Sequence, residues 1–271
     1  MIDEKVEKYV RLTLIPGFGV ISQNRLLMHC GNIEACFAMT PEVMRRSFHT
    51  TEGVQKIEAK RLESFLCMRE DTGNKDTARR LLESCREKGI DVITSEDARY
   101  PARFKTLPGM PILLYAKGAL KINEYSSTVG IVGARRCSRE GKEKTILTAE
   151  RELKKNAAII SGMAKGIDSY AQTAAIKNGG YTIAVLGNGP DICYPKEHER
   201  LYEEIIANGC VLSEYPPGTA PNAYMFPNRN RLIAGLSDTL YVIDAGKNSG
   251  TRTTIDFCRK YGRTVIDWLD G

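Results

Sequence analysis

From Ser127 onward, short apolar runs alternate with helical patterns and almost no spacer, and this alternation limits the fold more than any other feature of the chain. The runs are Thr128–Val132, Ala157–Ile160, Tyr181–Leu186, Cys210–Ser213, Thr239–Ile243 and Arg263–Ile266. Helical spacing falls between them, over Arg139–Lys155, Asp168–Lys177, Lys196–Asn208, Asn230–Leu236 and Thr253–Tyr261. Strand–helix–strand repeats close as right-handed crossovers, so the pattern predicts a parallel sheet covered on both faces. Asp91–Thr94 and Pro111–Ala116 add two strands beyond a minimal Rossmann core. The expected class is α/β: an extended Rossmann-like, doubly wound, mostly parallel sheet.

The preceding segment reads differently. Val6, Val10, Leu12 and Leu14 form an apolar helical face that ends at Pro16-Gly17, and Leu26, Leu27 and Phe37 continue helical burial to about Met68. The polar run 71–76 marks a boundary, and Ala78–Lys88 reads as an amphipathic helix closed by Gly89. The expected organisation is a small all-helical domain over 1–70, of helix-hairpin-helix or SAM-like type, followed by the Rossmann-like domain over 76–271. Ile15-Pro16-Gly17-Phe18-Gly19 has the form of a hairpin whose backbone N–H groups hold a phosphate. A lone hairpin fits a helical bundle used for protein contacts better.

With 271 residues, 42% of them hydrophobic, the chain can bury one α/β core and an accessory domain. A net charge of +6 permits a polyanionic ligand without demanding one. Residues 121–160 hold nine Lys/Arg against five Asp/Glu, although Lys142, Lys144, Lys154 and Lys155 sit among glutamates as on a solvated helix face. Eight cysteines without a CxxC pair, and three scattered histidines, give no zinc spacing. No metal or other cofactor is expected. Without an apolar run of membrane length or a signal peptide, the expectation is a cytoplasmic protein with reduced thiols.

Several strands run into glycine turns that a doubly wound sheet places along one edge, outside the carboxyl ends of its strands, where ligands bind. Ser161-Gly162-Met163-Ala164-Lys165-Gly166-Ile167-Asp168 is one such turn. Its glycines would let a phosphate approach backbone N–H groups at the start of a helix, and Lys165 would add a point charge. Asp168 is expected to cap the helix or fix the loop. Gly133-Ala134-Arg135 is a second turn, where a guanidinium can grip a phosphate with two hydrogen bonds. Arg229 and Arg231, about 200° apart on a helix, would divide between the polyanionic ligand and an internal carboxylate such as Glu214, in either order. Phe226 is either a base-stacking ring, worth roughly 1–3 kcal/mol, or a core phenylalanine. Tyr194-Pro195 and Tyr215-Pro216-Pro217 read as rigid loop turns, and Ser249-Gly250-Thr251 with Thr253-Thr254 as further donors.

Taken in order, GAR, SGMAKGID, AVLGNGPDICYP, SEYPPG and FPNRNRLIAGLS make the chain resemble the DNA-processing protein A (DprA/Smf) family. Ile15–Gly19 and the Tyr100-Pro101 and Pro111–Gly118 stretches match the family's order, so the resemblance covers most of the chain. It implies a homodimer that binds single-stranded DNA, protects incoming DNA and helps load the RecA recombinase in natural transformation, with no catalysis and no membrane. The residues expected at the DNA or phosphate site are Gly133, Arg135, Ser161, Gly162, Lys165, Gly166, Phe226, Arg229, Asn230 and Arg231. The chain departs from the family pattern at Gln172, where a histidine is common, and at Arg252, where an apolar pair is usual. It closes at Trp268-Leu269-Asp270-Gly271 without the usual Pro-Gly and winged-helix tail, so the contacts of that tail are not expected. The alternative is a nucleotide-binding Rossmann protein of the same superfamily, either a sensor or a nucleotide-cleaving enzyme. Against it, there is no Pro-Gly-Gly-x-Gly-Thr segment of the phosphoribohydrolases, no GxGxxG after the first strand of the Rossmann core, and no second carboxylate paired with Glu214.

Overall fold

The computed structural model describes residues 2–49, 57–246 and 250–268, and the chain divides into two units. The first comprises residues 1–88, 94–96 and 108–113. Its helices are α1 (Glu4–Thr13), α2 (Val20–Cys30), α3 (Ile33–Ala38), α4 (Pro41–His49), α5 (Ala59–Met68) and α6 (Thr72–Glu87). The amphipathic spacing of α1 buries Tyr9, Val10 and Leu12 completely, and the hairpin residues Ile15 and Phe18 join them in the core. Phe18 and Phe37 pack on Phe65 with ring centroids 5.9 and 5.7 Å away. The polar run 71–76, expected as a boundary, opens α6 instead. The Asp71 carboxylate accepts the Asn74 N–H at 2.6 Å, so the run satisfies orphan donors of a helix start and the unit continues to Lys88.

The second unit carries the sheet, save the strand-end residues Thr94 and Leu113, which fall in the first. Its strands are β1 (Asp91–Thr94), β2 (Leu113–Gly118), β3 (Ser127–Gly133), β4 (Ala157–Ser161), β5 (Thr182–Val185), β6 (Cys210–Ser213), β7 (Thr239–Ile243) and β8 (Thr264–Asp267). They lie in the order β1-β2-β6-β5-β4-β3-β7-β8. From β6 to β8 every pairing is parallel, and β2 joins β6 antiparallel. The helices are α7 (Arg139–Leu153), α8 (Ile167–Lys177), α9 (Glu199–Asn208), α10 (Met225–Leu236) and α11 (Thr251–Lys260). One core joins α7 and α8 to β3, β4 and β7 through Val129, Ile131, Ile159, Ala171 and Ile243. A second joins α8 and α9 to β5 and β6 through Ala184, Ile205 and Val211. These are the expected strands and helices, with ends shifted by a residue or two, apart from α9, whose expected first three residues, Lys196–His198, form a separate 3-10 turn, and from α10.

That helix begins at Met225 rather than at Asn230. Pro227 lies in its first turn, where no intrahelical N–H donor is required, so the proline is compatible with helix there. Phe226 and Arg229 are therefore helical residues, not loop residues. From β3 the chain winds outward through β4, β5 and β6, then returns past β3 to β7. The direction of winding thus reverses between β3 and β7, which is where such a sheet opens a crevice.

Candidate nucleic-acid interface

A cleft of about 530 Å³ opens at that reversal, lined by the end of β3, the turn after β4, the start of α10 and the start of α11. Gly133 ends β3 packed so closely on the Ile243 carbonyl and the Ile167 side chain that a Cβ would collide with both. Beyond it Arg135 is exposed and, among the described residues, forms no ion pair or side-chain hydrogen bond. The loop that carries it is tied down from β7, where the Asp244 carboxylate accepts the Ser138 N–H. Ser138 in turn caps α7, accepting the Gly141 N–H at 2.9 Å.

The turn after β4 is built around Asp168. Its buried carboxylate accepts the N–H of Gly162 at 3.0 Å and of Ala164 at 3.4 Å, so it fixes the loop as expected. The Gly162 donor, expected to face a phosphate, is thereby engaged internally. The Ser161 hydroxyl is equally committed: it is fully buried and donates to the Ile131 carbonyl at 2.7 Å. Gly166, at φ +76°, packs against the Ala134 and Arg135 carbonyls, so the two glycine turns brace each other. Lys165 is exposed, next in sequence to the cleft-lining Ala164, and pairs with Glu197.

Neither arginine of α10 faces outward: Arg231 meets the internal carboxylate expected for one of them, Glu214, but Arg229 is not turned outward as expected of the other. Arg231 forms a bidentate pair with Glu214, at 2.7 and 2.6 Å, both groups largely buried. Arg229, about 200° around the helix, points into the sheet end and donates to the Gly162 carbonyl at 2.9 Å and to the Val185 carbonyl. An early helix start gives both side chains an internal face to meet. A Cβ on Gly162 would lie 2.5–2.7 Å from the Arg229 guanidinium, so glycine at 162 and arginine at 229 depend on each other. Burial pushes the Arg229 pKa down to about 10, with Asp168 opposing the shift and Arg135 adding to it. Burial raises the Asp168 pKa, with Arg229 as the strongest opposing influence.

Asn230 links α10 to α11, accepting from Arg229 Nε at 3.2 Å and donating to Thr253 Oγ1 at 2.7 Å and the Gly250 carbonyl at 3.2 Å. The threonine donors expected from that segment are also used within the fold: Thr251 on the Gly133 carbonyl and Thr253 on Gly250. Ser249 lies outside the described residues, as do Leu269, Asp270 and Gly271. Phe226 is half-buried in the cleft wall and stacks on Tyr194, centroids 5.5 Å apart and planes at 28°. Tyr194 was expected only to shape a loop, yet it lines the cleft. Its placement depends on the β5–α9 loop folding back toward α10, a long-range event with no local pattern. Gln172 lies away from the cleft, fully buried, donating to the Ile183 carbonyl at 3.2 Å. The residue at 172 is therefore a packing position rather than a ligand donor.

Residues 91–270 match the family model for DNA recombination-mediator protein A. The protein Smf of Synechocystis is 33% identical over 255 residues, which is 93% of this chain and 61% of that protein. The DNA processing protein DprA of Streptococcus pneumoniae is 43% identical over 173 residues, 63% of this chain and 60% of that protein. The chain thus spans about 60% of the length of these curated relatives. The X-ray structure of DprA from Streptococcus pneumoniae superposes with a TM-score of 0.75 at 29% identity, covering 97% of this chain and 84% of that one. DNA processing protein A from Helicobacter pylori, for which a single-stranded DNA binding mode is described, matches with a TM-score of 0.61 at 31% identity. That match covers 66% of this chain and 80% of the other.

Proposed function

The chain belongs to the DNA recombination-mediator protein A family, and from that premise we propose that it binds single-stranded DNA across the cleft between β3 and β7. In this reading it is a cytoplasmic homodimer that shelters incoming DNA and helps load the RecA recombinase, and it catalyses no reaction. The observation that carries the reading is Arg135: an exposed guanidinium without an internal partner among the described residues, on a glycine-braced loop at the sheet's switch point. Lys165, exposed next to the cleft-lining Ala164 and paired with Glu197, and the Tyr194–Phe226 wall supply a second cation and an aromatic surface, the combination that single-strand binders use. The absence of catalysis is supported by the carboxylates. Glu214 is locked by Arg231 and Asp168 by the turn after β4, so neither is placed to move a substrate proton. Among the described residues, no helix is long and apolar enough to cross a membrane.

The test is fluorescence anisotropy of a labelled dT oligonucleotide beside a duplex of equal length, across a salt series. Single strand should bind more tightly than duplex, with log affinity falling by about 0.7 per phosphate for each decade of salt. Arg135→Ala should weaken binding by roughly tenfold or more and reduce that slope by about 0.7. Unchanged affinity in the variant would move the interface elsewhere. Binding of a mononucleotide but of neither DNA would turn the assignment to a nucleotide protein. RecA loading is read separately, as faster RecA filament growth on the same oligonucleotide.

A further inference from the structure

Resting on the single-stranded DNA reading, we propose that an unpaired nucleobase stacks on Tyr194, making Tyr194 a base-binding residue of the cleft and Phe226 the support behind it. The two rings form one stack, and its members differ in access. Tyr194 is 43% exposed, whereas Phe226 is half-buried. Tyr194 covers one face of Phe226. Gly187 lies against the Cδ1–Cε1 side of the same ring, where an added Cβ would stand 2.8 and 3.2 Å from those atoms. Phe226 is therefore wedged between backbone and ring, and Tyr194 is the ring that solvent reaches.

The segment bearing Tyr194 is held on both sides. Upstream, Asn188 Nδ2 donates to the Ile192 carbonyl at 2.7 Å. Downstream, His198 Nδ1 lies 3.1 Å from the Met163 carbonyl and Glu197 pairs with Lys165, which fastens the segment to the turn after β4. The ring is thus positioned before any ligand arrives, and ordering it on binding costs little entropy. Among the described residues the Tyr194 hydroxyl has no hydrogen-bond partner, so the interior makes no demand on it. Tyr194 and Arg135 line the same cleft, so a strand held there by its phosphate meets an aromatic surface within it. A nucleobase is the occupant that suits both: a flat π-face for the ring, on a backbone whose charge suits the guanidinium.

The test compares Tyr194→Phe, Tyr194→Leu and Tyr194→Ala with the unaltered chain, on a dT oligonucleotide and on an abasic oligonucleotide of the same length. Tyr194→Phe should keep the dT affinity. Tyr194→Leu, which preserves apolar bulk, and Tyr194→Ala should each lose at least about fivefold on dT. All four proteins should bind the abasic strand equally. Tyr194→Leu binding dT as the unaltered chain does would overturn the proposal, as would an equal loss on both oligonucleotides. Failure of the unaltered chain to bind dT at all would instead overturn the single-stranded DNA reading on which this rests.

Discussion

Replacing Arg229 with leucine should unfold the protein more readily rather than simply weaken its grip on a ligand. The guanidinium is buried, donates to two main-chain carbonyls and lies within electrostatic reach of the buried Asp168 carboxylate. Leucine removes two hydrogen bonds from a charged donor, each worth about 1.5–3 kcal/mol, and leaves Asp168 without its nearby cation. It also abolishes the cost of burying the arginine, so the contributions do not simply add. Breaking one side of a buried charge arrangement costs about 3–5 kcal/mol net. For a body of roughly 150–250 residues that lowers Tm by about 6–20 °C. Urea and thermal unfolding without DNA measure it directly. Adding Asp168→Asn to Arg229→Leu should recover about 1 kcal/mol or more, because the stranded carboxylate is then neutral. If Arg229→Leu melts with the unaltered chain while single-strand affinity falls tenfold, the side chain serves the ligand and this reasoning is wrong.

Three other outcomes follow from the same geometry. Gly166→Ala combines a strained φ of +76° with a Cβ pressed on the Ala134 and Arg135 carbonyls, and should cost at least about 1–3 kcal/mol in urea unfolding while displacing the Arg135 loop. Glu214→Gln leaves the Arg231 guanidinium buried without its counter-charge and should destabilise by about 3–5 kcal/mol, while the chain that remains folded binds dT as before. Asp238 sets an acid limit: burial opposes its charge, but Arg103 and Thr128 outweigh burial and hold its pKa below 3.8. A depressed folded pKa means stability that is full above about pH 3.8 and is lost as pH falls through the folded value. The urea midpoint should therefore drop in that window, and Asp238→Asn should be weaker at neutral pH and respond less to acid.

The sheet was legible because its signal is repetitive. Six apolar runs with helical spacing between them leave few topologies once crossovers are right-handed, and the glycine turns then fall on one edge. The cleft's position at that edge followed from the same pattern. Side-chain direction did not. Pro227 hides the true start of α10, expected at Asn230, and nothing local to Arg229 marks the main-chain carbonyls of Gly162 and Val185 that it meets. Ser161 read as a turn residue, yet it is the last residue of β4, with its hydroxyl turned into the sheet. The run 71–76 looked like a linker because helix caps and linkers draw on the same polar residues. Tyr194 carried no local mark of its place in the cleft.

The turn after β4 brings its own anion. Phosphate-binding turns normally leave their amides open to an incoming phosphate, but here Asp168 takes up the Gly162 and Ala164 amides from inside. A free phosphate entering at this depth would compete with a carboxylate tethered six residues from Gly162, hence at very high local concentration. The floor of the cleft is thus already filled in the electrostatic sense, while Arg135, which among the described residues forms no ion pair, is exposed in its lining. A small nucleotide seeking enclosure gains little from such a shape. A chain of phosphates passing over the top needs no more than the rim.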